Sequence, residues 1–131
     1  MKLLCVEDNA TQRRMIDLML ASTGIDVDFA CSGAEGLEAF QTTEYDAILM
    51  DIDLPDMSGL QAARNIRQTE AGFALGYTPV LFLGNPQTDD AGDGDGHIIK
   101  PFTSDLLMTA LDRLLKNTNG QGLQGTLRQA R

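Results

Sequence analysis

Near its middle the chain reads Ala47-Ile48-Leu49-Met50-Asp51-Ile52-Asp53-Leu54-Pro55-Asp56-Met57-Ser58-Gly59. The first four positions are all apolar, which is typical of a strand covered on both faces at the centre of a parallel sheet. Asp51 comes directly after this run, where the chain leaves the sheet. Pro55 then favours a turn, and Ser58 or Gly59 can open a helix. The stretch therefore predicts a buried central strand that presents an aspartate at its carboxyl end.

Short apolar runs and amphipathic stretches alternate on both sides of this strand. The other runs, each interpreted as a strand, lie at residues 3–6, 27–30, 79–83 and 97–99. Asn9 and Ser32 can cap helices between them, and a last amphipathic stretch spans residues 104–116. This alternation predicts an α/β fold, a flavodoxin-like doubly wound five-stranded parallel sheet. Ligands of such sheets bind at the carboxyl ends of the strands.

Composition narrows the class of protein. The 131 residues suit one domain, and no apolar run approaches the ~18–20 residues that span a bilayer. The apolar start before Glu7 is too short for a signal peptide, so we expect a cytoplasmic protein in which Cys5 and Cys31 are buried free thiols. A net charge of -9 argues against nucleic acid or an anionic membrane as a direct partner, because phosphate binding needs clustered Lys and Arg.

The C-terminal stretch differs from the rest of the chain. Residues 117–131 contain three glycines and little apolar pattern. We interpret them as a flexible tail or linker that follows a domain of residues 1–116.

Charged residues follow three of the predicted strands. Glu7 and Asp8 come after the first strand, Asp51 closes the third, and Lys100 comes after the fifth. Because these strand ends share one edge of the sheet, the carboxylates are expected to converge there and to repel one another. Mg2+ relieves such repulsion through carboxylate oxygens and retained waters. An aspartate beside Mg2+ and an ammonium group is suited to attack phosphorus, and Lys100 can pair with Asp51 before and with the phosphoryl group afterwards.

The residues at these strand ends also resemble a known family. Residues 6–9 read Val-Glu-Asp-Asn, residues 48–60 carry the quoted aspartate stretch, and residues 100–102 read Lys-Pro-Phe. Together they resemble the response-regulator receiver domain of two-component signalling over roughly residues 2–116, and the stretch around Asp51 is most similar to receivers of hybrid histidine kinases.

The resemblance has implications for the chemistry. It implies that Glu7 and Asp8 bind Mg2+ and that the backbone carbonyl of Asp53 is a further metal ligand. It also implies that Asp51 accepts a phosphoryl group from a histidine kinase or a histidine phosphotransfer domain. Such a domain is a signalling switch in a phosphorelay and catalyses only its own phosphorylation and dephosphorylation.

Two switch positions depart from the family pattern. Gly84 stands where receivers usually have Thr or Ser, and His97 stands where they usually have an aromatic residue. Only the backbone N–H of Gly84 then remains as a phosphate donor at that position. Another register that uses Thr78 or Thr88 is an alternative.

The crossover before the fifth strand also departs from the pattern. Residues 86–96 are rich in Gly and Asp and have no apolar stripe, so the fourth helix of the fold is predicted to be absent or very short. Apolar side chains of the fourth and fifth strands, including Leu81, Leu83 and Ile98, alternate between the two faces of the sheet, and those on the face that this helix would cover would then lose their cover. A partner, or a second copy in a homodimer, would dock on that patch.

Two other functions fit parts of the sequence. The changed positions 84 and 97 fit a pseudo-receiver, a docking module that works without phosphorylation. The Asp51-Ile52-Asp53 triplet fits a phosphatase of the haloacid-dehalogenase type, although that motif normally follows a first strand rather than a third. Uptake of one phosphoryl group on Asp51, no uptake, or turnover of a phosphate ester would distinguish the three.

Overall fold

The computed structural model describes residues 1–86 and 93–119 of the chain. Strands and helices alternate through this part. They are β1 Lys2–Val6, α1 Ala10–Leu20, β2 Asp26–Ala30, α2 Gly33–Thr42, β3 Ala47–Asp51, α3 Gly59–Gly72, β4 Val80–Leu83, β5 Gly96–Ile98 and α4 Ser104–Asn119. The strands form one parallel sheet in the order β2-β1-β3-β4-β5, which confirms the flavodoxin-like prediction.

Side-chain oxygens cap the first three helices where the sequence predicted. Each accepts the backbone N–H of the residue three positions later: Asn9 from Gln12, Ser32 from Glu35, and Ser58 from Gln61. Such a cap satisfies one unpaired N–H of the first turn and stabilises a helix by about 1 kcal/mol.

Two apolar layers cover the sheet. On one face, Leu3, Leu49 and Leu81 pack with residues of α1 and α4. On the other face, Ile48 and Phe82 pack with residues of α2 and α3. All residues of β3 and β4 are buried, as their continuous apolar runs predicted.

The predicted exposed patch beside β4 is wrong. Leu81, Leu83 and Ile98 are buried together on the α1 and α4 face, because alternate residues of a strand share one face. Phe82 faces the other layer and is covered there by the backbone of Gly94, where an added Cβ would overlap the Phe82 ring. The cover that a helix would provide therefore comes partly from a glycine.

The crossover from β4 to β5 contains no helix among its described residues, 84–86 and 93–95. The prediction of an absent or very short fourth helix otherwise concerns residues 87–92, which lie outside the described residues. The predicted tail begins later than expected, because α4 continues to Asn119 rather than to residue 116. Residues 120–131 also lie outside the described part.

Arg67 of α3 ties the residues before β5 to the rest of the fold. Its guanidinium donates to four acceptors, the backbone oxygens of Asp93 (3.0 Å) and Thr78 (2.8 Å) and the carboxylates of Glu70 (2.8 Å) and Asp95 (3.3 Å). Its Cζ also lies 3.8 Å from the centroid of the Tyr77 ring. Asp95 in turn accepts the N–H of Val80 at 2.8 Å, so one arginine links α3 to the starts of β4 and β5.

The two cysteines differ in environment. Cys5 lies in β1 and is buried, as expected, whereas Cys31 is exposed in the bend after β2. The expectation of a second buried thiol is wrong because β2 ends at Ala30. Within residues 1–86 and 93–119, none of the helices combines the length and the apolar character needed to cross a bilayer.

Candidate functional site

Three carboxylates meet at the carboxyl edge of the sheet. Glu7, Asp8 and Asp51 each place one carboxylate oxygen within 4.8 Å of the others. Strands β1 and β3 are neighbours, with Val6 opposite Met50, so the residues that follow them are brought together by the register. Glu7 and Asp51 are buried, while Asp8 is exposed to solvent.

Lys100 lies between two of these carboxylates. Its Nζ donates to Glu7 Oε2 at 2.8 Å and to Asp51 Oδ1 at 3.0 Å. The sequence predicted the pairing with Asp51 and missed the one with Glu7. Burial acts to lower the pKa of Lys100, but the hydrogen bonds and charges of Glu7 and Asp51 outweigh it and raise this pKa above its usual value. Lys100 is therefore held as a cation against Asp51.

Glu7 is only 1% exposed, which is unusual for a carboxylate. Its Oε1 accepts the N–H of Asn9 at 3.2 Å, and its Oε2 accepts from Lys100. Burial raises the pKa of Glu7, the charge of Asp51 adds to this rise, and the hydrogen bonds from Lys100 and Asn9 oppose it. Both oxygens of this buried carboxylate therefore have a hydrogen-bond partner. Lys100, its only cationic partner among the described contacts, also pairs with Asp51, so a further positive charge at this place would be favourable.

The loop from β3 to α3 is closed at its base. The N–H of Gly59 donates to the carbonyl oxygen of Ile52 at 2.6 Å, and Asp53 pairs with Ser58 in an isolated antiparallel bridge. Position 59 has no room for a side chain, because an added Cβ would overlap the carbonyl of Asp51. The glycine of the quoted stretch is therefore needed to bring α3 against the end of β3.

Gly84 follows β4 directly and has a backbone conformation that favours glycine, with a φ of 120°. Its N–H donates to the carbonyl oxygen of Ile98 at 2.7 Å. The expectation that this N–H would be left for a phosphate is therefore wrong, because it continues the pairing of β4 with β5. Thr78 does not replace the hydroxyl either, since it lies before β4, at the opposite edge of the sheet; Thr88 lies outside the described residues.

A cavity of about 360 Å³ opens at this edge of the sheet. It is lined by Glu7, Asp8, Asn9, Gln12, Asp51, Ile52, Asp53, Leu83, Gly84, Asn85 and Lys100. His97 does not line it and is exposed on β5. A larger groove, of about 780 Å³, lies where the strands begin and contains none of the predicted site residues.

Sequence reasoning missed three amide side chains in the lining: Asn9, Gln12 and Asn85. Asn9 was noted only as a helix cap. Asn85 could have been found, because it follows β4 at the same edge that supplied the charged residues. Its amide can donate hydrogen bonds, which the neighbouring Gly84 cannot do through a side chain.

The residues present fit a hard divalent cation. Carboxylate oxygens are the ligands that Mg2+ prefers, and a site with few protein ligands leaves it the waters that it retains. Glu7, Asp8 and Asp51 supply such oxygens, and the exposure of Asp8 gives access from solvent. Lys100 offsets only part of their combined negative charge, so a cation at this place would relieve the remaining repulsion.

Comparison with known proteins finds the family that the sequence resembles. The family model of the response regulator receiver domain matches residues 3–112. The cell cycle transcriptional regulator CtrA of Caulobacter vibrioides is 32% identical over 126 residues, a match that covers 92% of this chain and 52% of CtrA. The transcriptional regulatory protein DltR of Streptococcus agalactiae is 40% identical over 117 residues, covering 85% of this chain and 50% of DltR. The chain thus spans about half the length of these relatives.

Solved structures agree with the fold. The response regulator TrrA of Thermotoga maritima, solved in complex with Mg2+ and BeF, has a TM-score of 0.76 at 27% identity, with 87% of this chain and 98% of that one covered. The receiver domain of a sensor histidine kinase from Pseudomonas aeruginosa, with a magnesium ion in its active site cleft, has a TM-score of 0.74 at 33% identity, with 87% and 96% covered.

Proposed function

Because the chain belongs to the response regulator receiver domain family, we propose that it accepts a phosphoryl group on Asp51 in a Mg2+-dependent reaction and signals by a change of conformation. One observation carries the proposal. Asp51 lies within 4.8 Å of Glu7 and Asp8, counted between carboxylate oxygens, and its Oδ1 receives a hydrogen bond from Lys100. This grouping supplies a nucleophile, ligands for a cation and a fixed positive charge at one edge of the sheet.

The phosphoryl donor is a phosphohistidine on a histidine kinase or a histidine phosphotransfer domain. A carboxylate oxygen of Asp51 attacks phosphorus, and the bond from phosphorus to the donor histidine nitrogen breaks. The electron pair remains on that nitrogen, which takes up a proton. Lys100 can donate first to the Asp51 oxygen and then to a phosphoryl oxygen, because its ammonium group has three donor hydrogens on a flexible stem. Its hydrogen bond to Glu7 keeps it at the site during this exchange.

Glu7, Asp8, Asp51 and the backbone carbonyl of Asp53 are the groups that would hold Mg2+. When bound, the ion offsets the repulsion between the carboxylates and an incoming phosphoryl group. Asp53 lines the same cavity as the three carboxylates, which supports its inclusion. Since this set lacks a full cage of protein ligands, we expect weak binding in the absence of a phosphoryl group.

The side chain of Asn85 takes the place of the missing hydroxyl. Gly84 offers no side chain, and its N–H is bonded to Ile98. Asn85 lines the cavity next to it and carries two amide donors. Pro86 restricts the backbone of Asn85 to extended conformations, which limits the positions of its side chain. We therefore assign Asn85 to a phosphoryl oxygen.

Incubation with acetyl phosphate and Mg2+, followed by intact-mass measurement, tests the proposal. We expect one phosphoryl adduct that requires Mg2+ and is absent in Asp51→Asn. No adduct on a folded protein would contradict the proposal and favour a docking module that works without phosphorylation. Steady release of phosphate from an unrelated phosphate ester would favour a phosphatase instead.

A further inference from the structure

Asp56 connects the loop after β3 to the start of α2. Its Oδ1 accepts the N–H of Gly33 and its Oδ2 accepts the N–H of Ala34, both at 2.9 Å. These N–H groups belong to the first turn of a helix, where no backbone acceptor is available and a negative charge is favoured. The bonds from Ala34 and Gly33 lower the pKa of Asp56, so its exposed side chain stays ionised and keeps both acceptors.

Met57 makes a second contact at the same place. Its side chain lies against the backbone of Gly33, so that an added Cβ there would be 2.6 Å from Cγ and Sδ of Met57. The Sδ atom also accepts a hydrogen bond from Nδ2 of Asn65 in α3 at 3.7 Å. The tip of the loop therefore rests on α2, while the bridge between Asp53 and Ser58 closes its base.

We propose that Asp56 is a positioning residue for the metal site, because its attachment to α2 fixes the loop that carries the Asp53 carbonyl. The inference rests on the proposed function, in which that carbonyl is a ligand. Without Asp56, the tip keeps the contact of Met57 with Gly33 among the described contacts. Asp53 is then held only from the base of the loop, by its bridge to Ser58, so its carbonyl can shift. Mg2+ tolerates little departure from octahedral geometry, so a small shift of one ligand weakens binding.

Ser32 provides a matched control at the same end of α2. Its Oγ accepts the N–H of Glu35 at 3.1 Å, in the same first turn as the bonds that Asp56 makes. Ser32 belongs to the helix's own cap and has no hydrogen bond to the loop among the described contacts. Ser32→Ala therefore weakens the helix end without freeing the loop, whereas Asp56→Ala frees the loop.

The experiment measures two quantities for each protein. Calorimetric titration with MgCl2, in the absence of any phosphoryl donor, gives the Kd for Mg2+. Urea unfolding in the absence of Mg2+ gives stability. Groups that orient metal ligands typically change metal affinity by 10- to 100-fold, and Asp56 acts from further away, so we expect Asp56→Ala to raise the Kd by about three- to tenfold. Ser32→Ala is expected to leave the Kd unchanged and to lower the urea midpoint.

The outcomes separate the inference from the function on which it rests. If Asp56→Ala binds Mg2+ as tightly as the parent protein, or if Ser32→Ala weakens binding equally, Asp56 is only a helix cap and the inference fails. If the parent protein binds no Mg2+ and takes up no phosphoryl group, the proposed function itself fails. Asp56→Asn keeps one acceptor oxygen, and an intermediate Kd for this variant would support the assignment.

Discussion

Replacing Gly84 by alanine tests how the end of β4 is built. At a φ of 120° an alanine is strained, and its Cβ would lie 3.2 Å from Cγ1 of Ile52. Backbone conformations of this kind raise the free energy of the folded state by about 1–3 kcal/mol for a residue with a side chain. The contact with Ile52 adds to this loss unless that side chain moves by a few tenths of an ångström. We therefore expect Gly84→Ala to lower the free energy of unfolding by about 2–3 kcal/mol.

Two other glycines separate the contribution of backbone strain from that of side-chain crowding. Gly24 also has a positive φ, of 78°, but an added Cβ would meet nothing within 4 Å, so Gly24→Ala reports backbone strain alone. Its expected loss is about 1–2 kcal/mol. Gly72 has neither strain nor crowding, and Gly72→Ala should leave stability unchanged or raise it by about 0.4–1 kcal/mol through the unfolded chain.

Urea unfolding followed by far-ultraviolet circular dichroism measures the three variants against the parent. A loss of 2 kcal/mol corresponds to a midpoint lower by roughly 1 M, given the usual slopes for small domains. If Gly84→Ala is as stable as Gly72→Ala, the described conformation at position 84 is not required and the reasoning is wrong. The same backbone strain applies to threonine, so Gly84→Thr is expected to destabilise the end of β4 even though it adds a hydroxyl.

Three further predictions concern the site and the crossover. Asp8→Ala should take up no phosphoryl group from acetyl phosphate and Mg2+ by intact mass, yet unfold at an equal or higher urea concentration, because it removes one of three repelling carboxylates; uptake like that of the parent would refute the metal assignment. Asn85→Ala should weaken binding of beryllofluoride by about tenfold or more in calorimetry, since a hydrogen bond to a charged group contributes about 1.5–3 kcal/mol, and Asn85→Ser should recover part of the loss; equal affinity for all three proteins would exclude Asn85 from the phosphoryl site. Arg67→Ala should lower the free energy of unfolding by about 3–5 kcal/mol, because buried acceptors lose their partner. Arg64 is exposed and paired with Asp93, so Arg64→Ala should change this free energy by less than about 1 kcal/mol, and similar urea midpoints for the two variants would contradict the prediction.

The central sheet was predictable because its signal is local. The apolar runs that became β3 and β4 are buried along their whole length, and such runs have few other uses in a soluble domain. The site followed from the same prediction, since parallel strands end at one edge. That rule is enough to predict that Asp8, Asp51 and Lys100 lie together at the carboxyl edge of the sheet.

Other features depend on contacts that the sequence does not state. A glycine at position 84 is equally compatible with a lost hydroxyl and with a required backbone conformation, and only the bond to Ile98 distinguishes the two. The pairing of Lys100 with Glu7 depends on a 2.8 Å approach between residues that follow two different strands. The cover over Phe82 comes from Gly94, which has no side chain and so gives no apolar signal.

The four bonds of Arg67 also have a consequence for the position of Lys100. On one side of the crossover, Gly84 is joined to β5 through Ile98, and on the other side Asp93 and Asp95 are held by Arg67 on α3. The position of β5, and with it that of Lys100, is therefore set by anchors at both ends rather than by the number of residues between them. The place of Lys100 beside Asp51 thus depends on Arg67 and Gly84, neither of which carries a carboxylate or an ammonium group to that edge of the sheet.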